Sequence, residues 1–169
     1  MKNKNIIITG TSRGIGYELA LQFANEGHQV LAISRKTPQA LIENPNITCL
    51  SIDISNPEEL LQVENFINRT WKKVDVLIHN AGSLLHKQFT QITSEEFQNI
   101  YKVNVFAVAE LTKICIPFME KGSHVVTISS MGGIQGSMKF AGLAAYSSSK
   151  GAVITLSELL AEEYKGQGI

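Results

Sequence analysis

An excess of charge of either sign is the first thing this sequence lacks: fifteen lysines and arginines balance fifteen aspartates and glutamates, for a formal net charge of zero. No global field draws such a chain to nucleic acid or to a membrane surface, so an anionic ligand must be held by a local site. Long apolar runs are missing too. No window approaches the roughly 18 apolar residues of a membrane helix. The run from Ile6 to Ile8 behind two lysines is too short for a signal-peptide core, and a cytoplasmic protein with no membrane partner is expected. Cysteine is scarce. Cys49 and Cys115 stand alone in apolar stretches and read as buried thiols, which excludes a disulfide scaffold. His28, His79, His86 and His124 are scattered without the short spacing of ligand pairs, so no metal site is expected. With no repeat, low-complexity tract or linker, residues 1–169 read as a single domain.

What is there is an alternation. Ile6 to Thr9, Val30 to Ser34, Ile47 to Ile52, Val74 to His79 and Val125 to Ser129 are short continuous apolar runs, the pattern of strands covered on both faces. Between them Ile15, Leu19 and Phe23 recur every four residues, Leu60, Leu61, Phe66 and Ile67 do something similar, and Glu95 to Met119 reads as one long helix or two joined ones. Ser55 with Glu58 and Thr93 with Glu96 have capping-box spacing, and Pro57 suits a first helical turn. Strand and helix in alternation imply right-handed crossovers and an α/β fold: a doubly wound parallel sheet, Rossmann-like, in three αβα layers. The one long irregular stretch, Ser130 to Ala145, is rich in glycine and reads as a functional loop.

The first strand runs into Gly10, Gly14 and Gly16 before the first helix. A strand feeding a helix through glycines lets the backbone approach a diphosphate, while the helix N-terminus offers free N–H groups and partial positive charge. Gly10 would make the tight turn, Gly14 would clear the side chain where the diphosphate comes close, and Gly16 would let the helix lie against the strand. The spacing is G-x-x-x-G-x-G, and no Gly-Lys-Ser/Thr of a kinase-type loop follows. The second strand ends Ile33-Ser34-Arg35-Lys36, without the acid that would hold adenosine ribose hydroxyls. An arginine there can bind a 2′-phosphate, and Arg13 can approach from the other side, so both favour NADP(H). Asp53, ending the third strand, can accept from the adenine amino group or serve in helix capping. The cofactor-binding residues expected from the strand ends and the turn are Gly10, Ser12, Arg13, Gly14, Ile15, Gly16, Ser34, Arg35, Asp53 and Ile54.

Tyr146 and Lys150 stand four apart at the start of the last helix, on one face. A tyrosine, with a free pKa of about 10, exchanges protons near neutrality only where its phenolate is preferentially stabilised, as a neighbouring ammonium can do. Ser129 and Ser130 close the fifth strand, and ligands of doubly wound sheets lie outside the carboxyl ends of strands. Ser130 is the better placed to hydrogen-bond a substrate carbonyl, with Ser129 packing or bonding within the strand end.

On these residues, together with His79-Asn80-Ala81-Gly82 and Asn104 in "KVNVF", the sequence resembles the short-chain dehydrogenase/reductase family. The resemblance implies Tyr146 as general acid in carbonyl reduction, and Lys150 binding the nicotinamide ribose and easing loss of the tyrosine proton. It further implies Ser130 orienting the substrate oxygen, and Asn104 kinking its helix to hold a water in a proton relay through Lys150. Asn80, Ala81 and Gly82 would line the cofactor alongside Tyr146 and Lys150. It implies hydride transfer between NADP(H) and a small-molecule carbonyl or alcohol, and a homodimer or homotetramer packed through the helices around Tyr101 to Met119 and after Tyr146.

Three departures from the family pattern stand out. His79 replaces the first asparagine of Asn-Asn-Ala-Gly, a change expected to affect local packing. The stretch between Ser130 and Tyr146 is longer than in many relatives, which suggests a reshaped loop around Gly136 to Gly142. The chain ends at "KGQGI", where the family continues into a sixth strand, a lid and a seventh strand. The C-terminal strands are therefore expected to be missing from this chain, leaving the fifth strand an open edge and Val153, Leu156, Leu159 and Leu160 short of cover. Two other readings compete: a non-catalytic NADP(H)-binding regulatory or scaffold protein, and a sugar-nucleotide epimerase.

Overall fold

Consecutive isoleucines at positions 6, 7 and 8 cannot all face one side of a strand, because successive side chains point to opposite faces. They are satisfied only where both faces are covered. In the structure, a computed structural model that describes residues 3–169, all three are buried. Five parallel strands, β1 (Asn5–Thr9), β2 (Gln29–Ser34), β3 (Ile47–Ser51), β4 (Val76–His79) and β5 (His124–Thr127), lie in the order β3-β2-β1-β4-β5. The strand order reverses between β1 and β4, and a crevice opens there at the carboxyl ends.

Among the described residues six α-helices flank the sheet: α1 (Gly14–Asn25), α2 (Gln39–Ile42), α3 (Pro57–Phe66), α4 (Ser94–Tyr101), α5 (Ala107–Cys115) and α6 (Ala144–Tyr164). Ile6, Ile8, Val30, Ala32 and Ile78 point to one face, where Ala20 and Ala24 of α1 and Leu41 of α2 cover them. Ile7, Leu31, Ile33 and Leu77 point to the other, beneath Leu60 and Val63 of α3 and Leu111 and Cys115 of α5. The three αβα layers follow from that alternation. Both cysteines are free, and burial pushes the Cys115 thiol up to about 12 and raises that of Cys49 as well.

Each strand falls within two residues of its expected position. The stretch from Glu95, expected as one long helix or two joined ones, is two joined ones: α4 passes through a π-helical turn, Lys102–Phe106, into α5, which then tightens to a 3-10 turn at Ile116–Phe118. Asn56, not Ser55, caps α3, accepting from the Glu58 N–H at 3.1 Å, with Pro57 next. Ser55 instead donates to Asp53. The capping box of Thr93 and Glu96 is present. Among the described residues β5 pairs only with β4, so it is an edge. Val153 is nonetheless fully buried, while Leu156 and Leu160 line a shallow groove of about 140 Å³ against β5 and Leu159 is exposed.

Candidate active site

The crevice at the sheet's switch point is built by the glycine turn and the end of β4. Gly10 has φ +75°, and a Cβ there would fall 2.7 Å from the Ala81 Cα, so both the left-handed backbone and the close packing exclude a side chain. The Gly10 N–H donates to the Ile33 carbonyl at 2.8 Å. Gly14, φ +63°, opens onto free space. Gly16 is buried, and a Cβ on it would lie 2.5 Å from the Gly10 carbonyl oxygen, so it brings helix and turn together rather than facing the crevice. Arg13, extended at φ −169°, takes the N-cap position of α1 without a side-chain cap, which leaves the first amides of the helix available.

Thr9 and Asn80 tie β1 to β4. The Thr9 hydroxyl accepts from the Asn80 and Ala81 amides, each at 3.1 Å, and Asn80 Nδ2 donates to the Thr9 and Gly10 carbonyls at 3.0 and 3.1 Å. A cavity of about 320 Å³ results, lined by Gly10, Ser12 and Arg13 from the turn. Ser34 and Arg35, Asp53 and Ile54, and Asn80 to Gly82 supply its other walls. Arg13 and Arg35 are exposed and form no ion pair among the described residues. The Ser34 hydroxyl donates to the Lys36 carbonyl at 2.8 Å. Burial alone would raise the Asp53 carboxyl. Hydrogen bonds from the Ser55 hydroxyl and amide, with the nearby Arg35 charge, hold it below the usual carboxylate range. Asp53 therefore both organises the entry to α3 and faces the cavity. Ile15 is exposed beside the turn, and Gly14, Ile15, Gly16, Tyr146 and Lys150 are not among the cavity's lining residues.

Lys150 is 5% exposed. Its ammonium donates to the Ile128 carbonyl at 2.7 Å and lies 5.9 Å from the centre of the Tyr146 ring. Burial pulls its pKa below the usual lysine value. A Cβ on Gly82 would sit 3.6 Å from both Lys150 Nζ and Asn104 Oδ1, which locates the two side chains at the rim of the cavity. Tyr146 is half-buried on the same turn of α6, and its hydroxyl makes no hydrogen bond to another described residue.

Asn104 lies in the π-helical turn, with 1% exposure, and its side chain is engaged on every N–H. Oδ1 accepts from the Ser83 amide at 2.7 Å, and Nδ2 donates to the Ser83 carbonyl and the Ser149 hydroxyl, each at 2.9 Å. Ser149 donates in turn to the Tyr146 carbonyl at 2.7 Å. Asn104 thus buttresses the loop after β4 and the turn carrying Tyr146. Ser130 follows β5 by three residues and accepts from the Gly132 amide at 3.3 Å. Ser129 does not bond within its strand end; its hydroxyl donates to the Lys150 carbonyl at 3.0 Å, fastening the loop to α6. His79 is buried, with Nε2 2.8 Å from the Thr112 hydroxyl, and burial lowers its pKa to about 3. Because that hydroxyl donates to the Val108 carbonyl at 2.7 Å, it accepts from His79, which fixes the Nε2–H tautomer. Thr9, Ser83 and Ser149 went unassigned in the sequence; only their adjacency to the glycine turn, Gly82 and Lys150 marked them. No group of three metal-ligating side chains occurs among the described residues, nor any helix long and apolar enough to cross a membrane.

The short chain dehydrogenase family profile matches residues 4–169, and the chain belongs to that family. It is 33% identical over 165 residues to a 3-ketodihydrosphingosine reductase of Bacteroides thetaiotaomicron, covering 96% of this chain and 59% of that one. Among solved structures, a short-chain dehydrogenase from Streptomyces avermitilis superposes with TM-score 0.91 at 32% identity, over 100% of this chain and 63% of that one. An NADH-dependent reductase complexed with NAD superposes with TM-score 0.88 at 25% identity, over 99% of this chain and 75% of that one. The chain spans about three-fifths of the length of the curated relatives it matches.

Proposed function

We propose that this chain carries the cofactor site and the catalytic residues of an oxidoreductase that interconverts a carbonyl and an alcohol with NADP(H). The observation that carries the reading is the placement of the Lys150 ammonium, buried between the Ile128 carbonyl, Gly82 and the Tyr146 ring at the rim of the glycine-walled cavity. The cavity fits a dinucleotide because Gly14 leaves open the space where a Cβ would intrude on an approaching diphosphate, Gly10 holds the turn tight against Ala81, and the start of α1 beside it is uncapped. When bound, the reduced nicotinamide supplies the hydride that adds to the carbonyl carbon and is itself oxidised.

Tyr146 gives its hydroxyl proton to the carbonyl oxygen, so that hydride and proton together make the alcohol; the reverse reaction returns both. Lys150 stabilises the phenolate left behind, in a setting where burial strengthens its field. Ser130 holds the substrate oxygen, and Asn104 keeps the Ser83 loop and the Tyr146 turn in register, with a water-borne proton path through Lys150. The preference for NADP(H) rests on Arg13 and Arg35, two exposed cations that form no salt bridge among the described residues, at the wall where a 2′-phosphate would lie. Self-association through α4, α5 and α6 belongs to the same reading, and sedimentation velocity measures it. The reaction is tested by NADPH oxidation with 2,3-butanedione: consumption of NADPH with formation of the hydroxyketone supports it, and cofactor binding without turnover favours the regulatory alternative.

A further inference from the structure

Two loops leave the carboxyl ends of neighbouring strands and stand over the first turn of α6: one follows Gly82 after β4, the other follows Ser130 after β5. Between them lies an open groove of about 680 Å³, lined by His86, Phe89, Phe140, Leu143, Ala144 and Ser147 among others. Its walls are held by specific bonds. The Lys87 amide donates to the Gly142 carbonyl at 2.9 Å, and the His86 ring lies so close to Gly142, φ +84°, that a Cβ there would fall 2.9 Å from Nε2.

The groove and the cofactor cavity meet at one helical turn. Ala144 and Ser147, three apart, face the groove, whereas the Lys150 ammonium, 5.9 Å from the centre of the Tyr146 ring, lies by Gly82. A carbonyl within reach of the Tyr146 hydroxyl therefore leaves the rest of its molecule over the groove. The chemistry of the two spaces differs sharply. Glycines, arginines and Asp53 wall the cofactor cavity, while the groove presents two phenyl rings, Phe89 and Phe140, that are 68% and 58% exposed. Lys139 and Gln88 also line the groove, but the Lys139 ammonium is engaged, donating to the Ile134 carbonyl and the Ser137 hydroxyl, and that of Lys87, next to His86 in sequence, pairs with Glu96 at 2.8 Å. An anionic or polyhydroxylated substrate body would find few partners here, and an apolar one would gain from covering two exposed rings.

We infer that the substrate is an uncharged ketone, or its secondary alcohol, with a bulky apolar body that lies between Phe89 and Phe140 in this groove. The inference rests on the catalytic reading above and adds the substrate class to it. The test is calorimetric titration of the protein, with and without saturating NADP+, using 2-acetonaphthone, 2,3-butanedione, pyruvate and glucose as probes. Acetonaphthone is expected to bind at least about tenfold more tightly than the other three, and the double variant Phe89→Ser/Phe140→Ser to weaken it about tenfold or more. NADP+ affinity, measured in the same samples, reports on folding of the variant and is expected to stay within about twofold. Equal affinity for pyruvate or glucose, or an acetonaphthone affinity indifferent to the double variant, overturns the inference, as does failure of acetonaphthone to bind because another segment fills the groove. Loss of NADP+ binding in the unmodified protein would instead count against the catalytic reading, while the titrations without cofactor still decide the groove.

Discussion

Asn104 grips the backbone of Ser83 from both sides, accepting its amide N–H at 2.7 Å and donating to its carbonyl at 2.9 Å. A third bond to Ser149 carries the link into the turn that holds Tyr146. The Asn104 side chain is 1% exposed and its bond to Ser149 is buried, so its loss leaves partners poorly placed to bond water instead.

Asn104→Ala is accordingly expected to lower stability by roughly 2–4 kcal/mol, read from the urea midpoint. A change below about 0.5 kcal/mol would mean that water or a neighbour replaces the side chain at no cost.

Gly10 and Gly14 separate folding from binding. Both have positive φ, but only Gly10 abuts other backbone. Gly10→Ala is expected to cost roughly 2 kcal/mol or more of stability, through strain and overlap with Ala81. Gly14→Ala, which meets open space, should cost about 1 kcal/mol yet weaken NADPH at least about tenfold, because in the proposed site the methyl group would stand in the path of the diphosphate. Fluorescence titration of NADPH alongside thermal melts checks both, and the reverse ranking would contradict the geometry.

The strands and the glycine turn were legible because burial on both faces and a tight turn impose composition directly: three isoleucines in a row and a glycine at φ +75° admit few other structures. The π turn was not. Residues 102–106 have ordinary helical spacing, and what widens that turn is tertiary, since Asn104 reaches Ser83 and Ser149, which are distant in sequence. Asn56 displaced Ser55 as a cap because Asp53 already engages the Ser55 amide and hydroxyl, a competition that spacing alone does not reveal. Thr9 and Ser149 escaped notice for the same reason. Small hydroxyl residues carry no periodic signal, and their roles exist only once two elements meet.

Arg35→Ala is expected to weaken NADPH about tenfold or more while leaving NADH nearly unchanged, because a charge-assisted bond to the 2′-phosphate is lost and nothing comparable touches a 2′-hydroxyl. Parallel titrations of the two cofactors decide it. Equal weakening of both, or tighter NADH in the unmodified protein, would remove Arg35 from the selectivity argument.

His79 makes stability depend on acid. Its pKa is near 6.5 in the unfolded chain and about 3 in the folded one. Its stabilising contribution is therefore complete above about pH 6.5 and is lost as pH falls from there towards 3, by a few kcal/mol in full. His79→Asn removes the titrating group, and the urea midpoint plotted against pH should fall less steeply between pH 6 and 4. An unchanged slope would show that other groups carry the acid sensitivity.

The catalytic account is tested most directly by Tyr146→Phe, which deletes one oxygen and keeps the ring that lies 5.9 Å from Lys150 Nζ. NADPH affinity by fluorescence and the rate of 2,3-butanedione reduction are measured on the same preparation. The account predicts affinity within about twofold of the unmodified protein and a rate at least 100-fold lower, the usual scale of a lost general acid. Undiminished reduction by the phenylalanine variant would contradict it.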